Sequence, residues 1–182
     1  LGAEQDGTVV STRIAWTLLT DPDPELVAAT LRDRAEREVL PPVPDLSPAG
    51  RGVVNVGMWL AVADPGVYEA TATAAPGSWV TARATLVDTS FDMGNGDVVT
   101  CRGAGDPIPE SAFDSVEASP VCGYVYRRLH DGGPYTLTIT SRWDVTRSSS
   151  RGTSGTQPPI VTSTTIDYEV LEIQTVGGPA GG

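Results

Sequence analysis

The chain of 182 residues contains no lysine, one histidine and two cysteines. Its 12 basic residues are all arginine, set against 23 aspartates and glutamates, for a formal net charge of −11. A phosphate backbone is gripped by clustered cations, and an anionic leaflet attracts basic segments, so this balance argues against nucleic acid or a membrane surface as partner. A single histidine leaves little raw material for a three-ligand metal site or a histidine-activated nucleophile. No apolar run approaches the roughly 18 residues that mark a transmembrane helix. The opening, Leu1-Gly2-Ala3-Glu4-Gln5-Asp6-Gly7, is polar and has neither the basic nor the apolar region of a signal peptide. The expectation is either an intracellular chain or an exported one whose leader is already absent. The cysteines must decide between these.

What the sequence does hold is enough apolar material, 40%, for one domain or a tight pair of small ones. Val9 to Leu19 is β-prone and apolar, part of an extended segment over residues 1–23. Asp23 then offers an N-cap and Pro24 suits the first helical position. Leu26, Val27, Thr30, Leu31, Arg34 and Ala35 follow at helical spacing, with Arg32, Asp33, Glu36, Arg37 and Glu38 on the other face. The expectation is one amphipathic helix over about 24–39, stopped by Pro41-Pro42-Val43-Pro44. Residues 41–52 read as a stiff linker, so 24–52 forms a helix-plus-linker unit ahead of a β domain at 53–176.

Within that domain the period changes to two. Val53 to Ala63 reads as a buried strand, Val67 to Ala74 as the next, and Trp79 to Phe91 as a long one with Val80, Ala82, Ala84 and Leu86 on one face. Tyr135, Leu137, Ile139, Trp143 and Val145 share one parity, interrupted only by Ser141, while Thr136, Thr138, Thr140, Arg142 and Asp144 share the other. A strand with one face in a core and one in water shows this alternation. Ser148 to Gln157 reads as a flexible hairpin loop. The last strand, Ile160 to Val176, shifts parity at Leu171 and Ile173, which suggests a bulge or a second packing surface. Residues 177–182 form a glycine-rich tail. Several strands with turns between them and one leading helix give a mainly β chain, an antiparallel β-sandwich preceded by an amphipathic helix.

Cys101 and Cys122 flank a stretch rich in Gly, Pro and Asp, each beside a β-like segment. A disulfide here would pin an otherwise entropic loop and contribute about 3 kcal/mol. Two free core thiols or a redox pair are the alternatives, and the spacing is not Cys-x-x-Cys. Because disulfides persist outside the reducing cytosol, the pairing favours an extracellular, exported protein.

Asp88-Thr89-Ser90-Phe91-Asp92-Met93-Gly94-Asn95-Gly96 resembles the signature turn of PKD-like domains, which runs aromatic-Asp-Phe-Gly-Asp-Gly at the end of a central strand. Tyr124-Val125-Tyr126, followed by Gly133-Pro134-Tyr135-Thr136-Leu137-Thr138-Ile139, resembles that family's later stretch. Asn95, Met93 and Tyr124 depart from the usual Asp, Phe and His, and the segment between the cysteines is an insertion. The layout over about 24–175 also looks like secreted actinobacterial proteins of unassigned role. The resemblance implies an immunoglobulin-like sandwich acting as spacer, adhesion unit or carbohydrate-associated accessory, with no catalytic residues to transfer.

Candidate sites are few. Asp92, Asn95 and Asp97 offer oxygen ligands at alternate positions, as calcium requires, but Asn95-Gly96 equally suits a tight turn and no later bidentate Glu follows. No other cofactor is expected. His130 reads as a solvent-exposed loop residue, since no Gly-x-Ser-x-Gly elbow accompanies it. Trp16, Trp59, Trp79 and Trp143 could stack on sugars, yet Trp59 and Trp143 lie in core-like patterns, which leaves Trp79, together with Tyr68, as the candidate partner contacts. The expectation is a non-enzymatic structural or protein-binding module at a bacterial cell surface, one subunit of an assembly or filament, whose partners are other surface proteins or copies of itself. A carbohydrate-binding accessory is the second reading. A hydrolase working through paired carboxylates is the third.

Overall fold

The structure is a computed structural model that describes residues 9–15, 23–63, 66–74, 77–113 and 116–173, the first stretch by its backbone. Its strands are β1 (Val9–Ala15), β2 (Pro44–Ser47), β3 (Arg51–Val53), β4 (Gly57–Val62), β5 (Val67–Ala74), β6 (Ser78–Asp92), β7 (Val98–Arg102), β8 (Gly123–Val125), β9 (Tyr135–Ser149) and β10 (Ser154–Leu171). One α-helix among the described residues, α1 (Pro24–Glu38), lies between β1 and β2. Seven strands form one sheet in the order β1-β5-β6-β9-β10-β3, with β7 beside the second half of β6. The other three, β2, β4 and β8, form a second sheet. Pairing is antiparallel except for β1 on β5 and β3 on β10.

Alternation along β9 fixes which face of the large sheet is inside. Tyr135, Leu137, Ile139, Ser141, Trp143 and Val145 are all buried, while Thr136, Asp144 and Thr146 are exposed. This single buried face has two covers. Over one half lies α1, whose Ala28 and Leu31 pack with Ala70, Ala72, Val80 and Ala82, and whose Ala35 packs with Ala84, Trp143, Val145 and Ile160. Over the other half lies the small sheet, whose Leu46, Met58, Leu60 and Val62 pack with Phe91, Tyr135, Leu137, Ile139 and Tyr168.

Between the two cores runs a row of hydroxyls. Thr89, Ser141 and Thr162 stand opposite one another across β6, β9 and β10. The Thr89 hydroxyl donates to the Gly103 carbonyl at 2.7 Å and lies 3.3 Å from Ser141 Oγ. Buried hydroxyls need such partners to offset their desolvation. The interruption at Ser141 in an otherwise apolar parity marks this seam.

The helix starts as expected, with the Asp23 carboxylate accepting the Glu25 N–H at 2.9 Å and proline in its first turn. Its buried side is rotated from the expected one: Ala28, Leu31 and Ala35 are inside, whereas Leu26 is 70% exposed. Arg32, expected on the far face, reaches back to the carbonyls of Pro158 at 3.2 Å and Pro159 at 3.1 Å. Those prolines bring no N–H to the ladder, and the β9–β10 register slips there, between Gln157 and Ile160.

The presumed linker 41–52 contributes strands β2 and β3. The strand expected from Val53 to Ala63 is broken at Val54 and Asn55, and Asn55 has a φ of 65° that a strand cannot hold. The hairpin expected over Ser148 to Gln157 is a short turn, because β9 runs to Ser149 and β10 starts at Ser154. Leu171 pairs with Val53 and Ile173 is 75% exposed, so the parity shift there builds no second core. Within Val9 to Leu19, the described part pairs with β5 of its own chain. Trp16 and the tail 177–182 lie outside the described residues.

Candidate functional site

The glycine turn between β6 and β7 closes on itself. Asp92 Oδ1 accepts the Gly94 N–H at 3.0 Å, Asn95 Oδ1 accepts the Asp97 N–H at 3.1 Å, and the Met93 N–H bonds the Asp97 carbonyl at 2.9 Å. Gly94 holds a φ of 75°, and a Cβ there would lie 2.5 Å from the Thr136 carbonyl oxygen, so no other residue fits. From β8, the Tyr124 hydroxyl donates to Asp97 and accepts from Asn95 Nδ2 at 2.6 Å. Burial, and then that bond to Asp97, push the Tyr124 phenol above its ordinary pKa. Asp92, Asn95 and Asp97, the calcium candidates, thus stand together but turn their oxygens onto their own backbone and Tyr124. Among the described residues no group of three or more His, Cys, Asp or Glu side chains could hold a metal ion.

Next to this turn lies an open groove of about 710 Å³, lined in part by Val54, Asn95, Arg127, Arg128, His130 and Glu172. His130, expected as a free loop residue, is exposed yet held. Its Nδ1 lies 3.1 Å from the Pro134 carbonyl, and its ring sits 5.0 Å from that of Tyr135. The Tyr135 hydroxyl in turn donates to the Arg128 carbonyl at 2.9 Å. Arg127 Nη1 is 3.4 Å from the Asn55 amide oxygen. No local spacing reveals this groove, because its walls come from four separate segments.

Below the turn is an aromatic stack. Tyr126 lies 4.3 Å from Tyr135 and 6.2 Å from Tyr168, centroid to centroid, with its hydroxyl donating to the Met93 carbonyl at 2.8 Å. Burial drives the phenols of Tyr126 and Tyr168 well above the usual tyrosine range.

Cys101 on β7 and Cys122 beside β8 are disulfide-bonded, with Cα atoms 5.6 Å apart, joining the large sheet to the small one. The loop they close is also held by the Ser119 hydroxyl, which donates to Asp106 and accepts the N–H groups of Val121 at 3.0 Å and Cys122 at 2.9 Å. Sequence reasoning missed this serine.

Trp79 and Tyr68 are not brought together. Trp79, 39% exposed, projects from the outer face of β6 beside the Ser150 turn. Tyr68 lies on the inner face, half-buried, its ring edge-on to Trp143 at 5.4 Å. Trp143 is fully buried, as its parity implied, and Trp59 is half-buried.

The outer face of the large sheet is a field of hydroxyls and cross-strand ion pairs. Arg83 faces Glu69 at 3.4 Å, Arg142 binds Asp88 at 2.9 Å, and Thr140 meets Ser163 at 3.0 Å. The bond to Asp88 raises the Arg142 pKa further. No helix among the described residues is long and apolar enough to cross a membrane. Comparison with known family models, curated proteins and solved structures finds no match.

Proposed function

We propose that this chain is a non-enzymatic structural or protein-binding module of an exported bacterial surface protein. The observation that carries the reading is the covalent bond between Cys101 and Cys122, which ties one layer of a β-rich scaffold to the other. The outer face supports it too, since its carboxylates at Glu69 and Asp88 are matched to arginines across the ladder. Facing sheets joined around Phe91, Tyr135 and Tyr168 suit a PKD-like, immunoglobulin-like scaffold, with the glycine turn at the end of β6 as its signature element.

The test is alkylation of unreduced material from the native source, followed by mass spectrometry. Neither thiol is expected to react; labelling of both overturns the export. Turnover of a polysaccharide or peptide that is lost on changing one carboxylate overturns the non-enzymatic part. The exposed Trp79 favours one second reading, a carbohydrate-binding accessory. Glycan binding abolished by Trp79→Ala would establish it.

A further inference from the structure

Among the described residues, the far edge of β10 is open over most of its length. On one side β10 pairs with β9 along its length; on the other, β3 reaches only Glu169, Val170 and Leu171. No described residue pairs with the stretch from Ile160 to Tyr168 on that second side. Every second residue of an antiparallel edge strand turns its N–H and C=O outward, so a row of backbone groups awaits a partner strand. Proteins protect such edges with lysine, proline, bulges or inward charge. Here the prolines and the bulge sit at one end, at Pro158 and Pro159, and Asp167 stands near the other. Val161-Thr162-Ser163-Thr164-Thr165-Ile166 between them has no charge and no proline, and its β-branched residues suit a strand.

We propose that this edge pairs antiparallel with the same edge of a second copy, about a two-fold axis at Thr164. The inference rests on the reading above, and names the partner as the chain itself. Three observations select this partner and register. First, an axis at Thr164 sets Pro159 of one copy against Glu169 of the other, so the residue that brings no N–H meets the one β3 already occupies. The pairing therefore ends at the bulge, where β10 leaves its register on β9 between Gln157 and Ile160 and so turns away from the partner's β3. Second, on the outer face it sets Ser163 opposite Thr165 and Val161 opposite Asp167, so no like charges meet although each chain carries −11. Third, on the inner face it sets Thr162 opposite Ile166 and Ile160 opposite Tyr168, extending a face that is buried at both Ile160 and Tyr168. The pairing is isologous and closes as a dimer. Because two acidic chains repel over long range, added salt strengthens it.

The experiment is light scattering on the whole chain over a concentration and salt series, with hydrogen exchange alongside. Wild type is expected to reach twice the 19.0 kDa monomer mass, more readily at high salt, with amides of residues 160–168 gaining protection as concentration rises. Ser163→Lys with Thr165→Lys places lysine opposite lysine twice and weakens association by about tenfold. It does so even though it lowers the net repulsion between copies. Ser163→Lys with Thr165→Glu places lysine opposite glutamate and restores association to near the wild-type level. Circular dichroism checks that both variants fold, and the exchange measurement on wild type stands without them. A monomer under all conditions overturns the proposal, as does dimerisation unaffected by the two lysines or not restored by the lysine–glutamate pair. A monomer whose thiols resist alkylation overturns the edge pairing alone and leaves the exported module standing.

Discussion

One buried sheet face carries two different covers, and the two halves solve the same problem in different ways. Under α1 the sheet presents Ala70, Ala72, Ala82 and Ala84 around Val80, Trp143 and Val145, and the helix answers with Ala28, Leu31 and Ala35. Small side chains on both surfaces let a helix come close, and a helix satisfies its own backbone, so this half needs no covalent help. Under β2, β4 and β8 the sheet presents Phe91, Tyr135, Leu137, Ile139 and Tyr168. The covering strands have 4, 6 and 3 residues, too few to persist alone. That half relies on large interlocking rings, a tethered loop and the disulfide. The less a covering element satisfies its own backbone, the more cross-linking it requires.

The most damaging single change to either half is Trp143→Ala. Removing the largest side chain of the helix-covered core is expected to cost about 4 kcal/mol in denaturant unfolding. Replacing Cys101 and Cys122 together by alanine frees the tethered loop, at a cost of about 3 kcal/mol to the sheet-covered half. Proteolysis should then cut first between the two positions; equal cutting near α1 would contradict the assignment of the staple to one half.

Alkali sharpens the contrast. Tyr126 and Tyr168, both in the sheet-covered core, have phenols that burial pushes up. The unfolded chain ionises them near pH 10 while the folded chain keeps them protonated. Their contribution is therefore intact below about pH 10 and falls as pH rises further, by about 1.4 kcal/mol per unit for each tyrosine. The phenolate absorbance of these two, taken as the difference between wild type and the Tyr126→Phe, Tyr168→Phe variant, should appear together with unfolding; its appearance in folded protein would refute the burial argument. The smallest expected effect has the opposite sign. Thr162 Oγ1 is buried in the seam with no hydrogen-bond partner among the described residues, so Thr162→Val is expected to raise stability by about 1 kcal/mol.

Much of this was legible where the period was local. Asp23-Pro24 announced the helix start, alternation announced β5, β6 and β9, and β-like flanks around Cys101 and Cys122 announced neighbouring strands that could share a disulfide. What the sequence hid was long-range. Proline and glycine around Pro44–Ser47 and Arg51–Val53 read as linker, because short edge strands tolerate the residues that punctuate loops. Nothing local tells a helix lying over half a sheet from one capping a sandwich. Parity ordered Trp79 and Tyr68 along their strands but not relative to each other, and the register of Tyr68 on Ala84 puts its ring inside. Arg127, Arg128 and His130 gave no pattern because their groove is assembled from distant segments.

The three longest strands, β6, β9 and β10, run beneath both covers, each ladder bulging once. They act as a common spine. Lifting α1 frays the same ladders on which Tyr135 and Tyr168 stand, and peeling away the small sheet loosens those that carry Trp143. Two cores with different chemistry therefore share a single fate on heating, melting in one cooperative step instead of two.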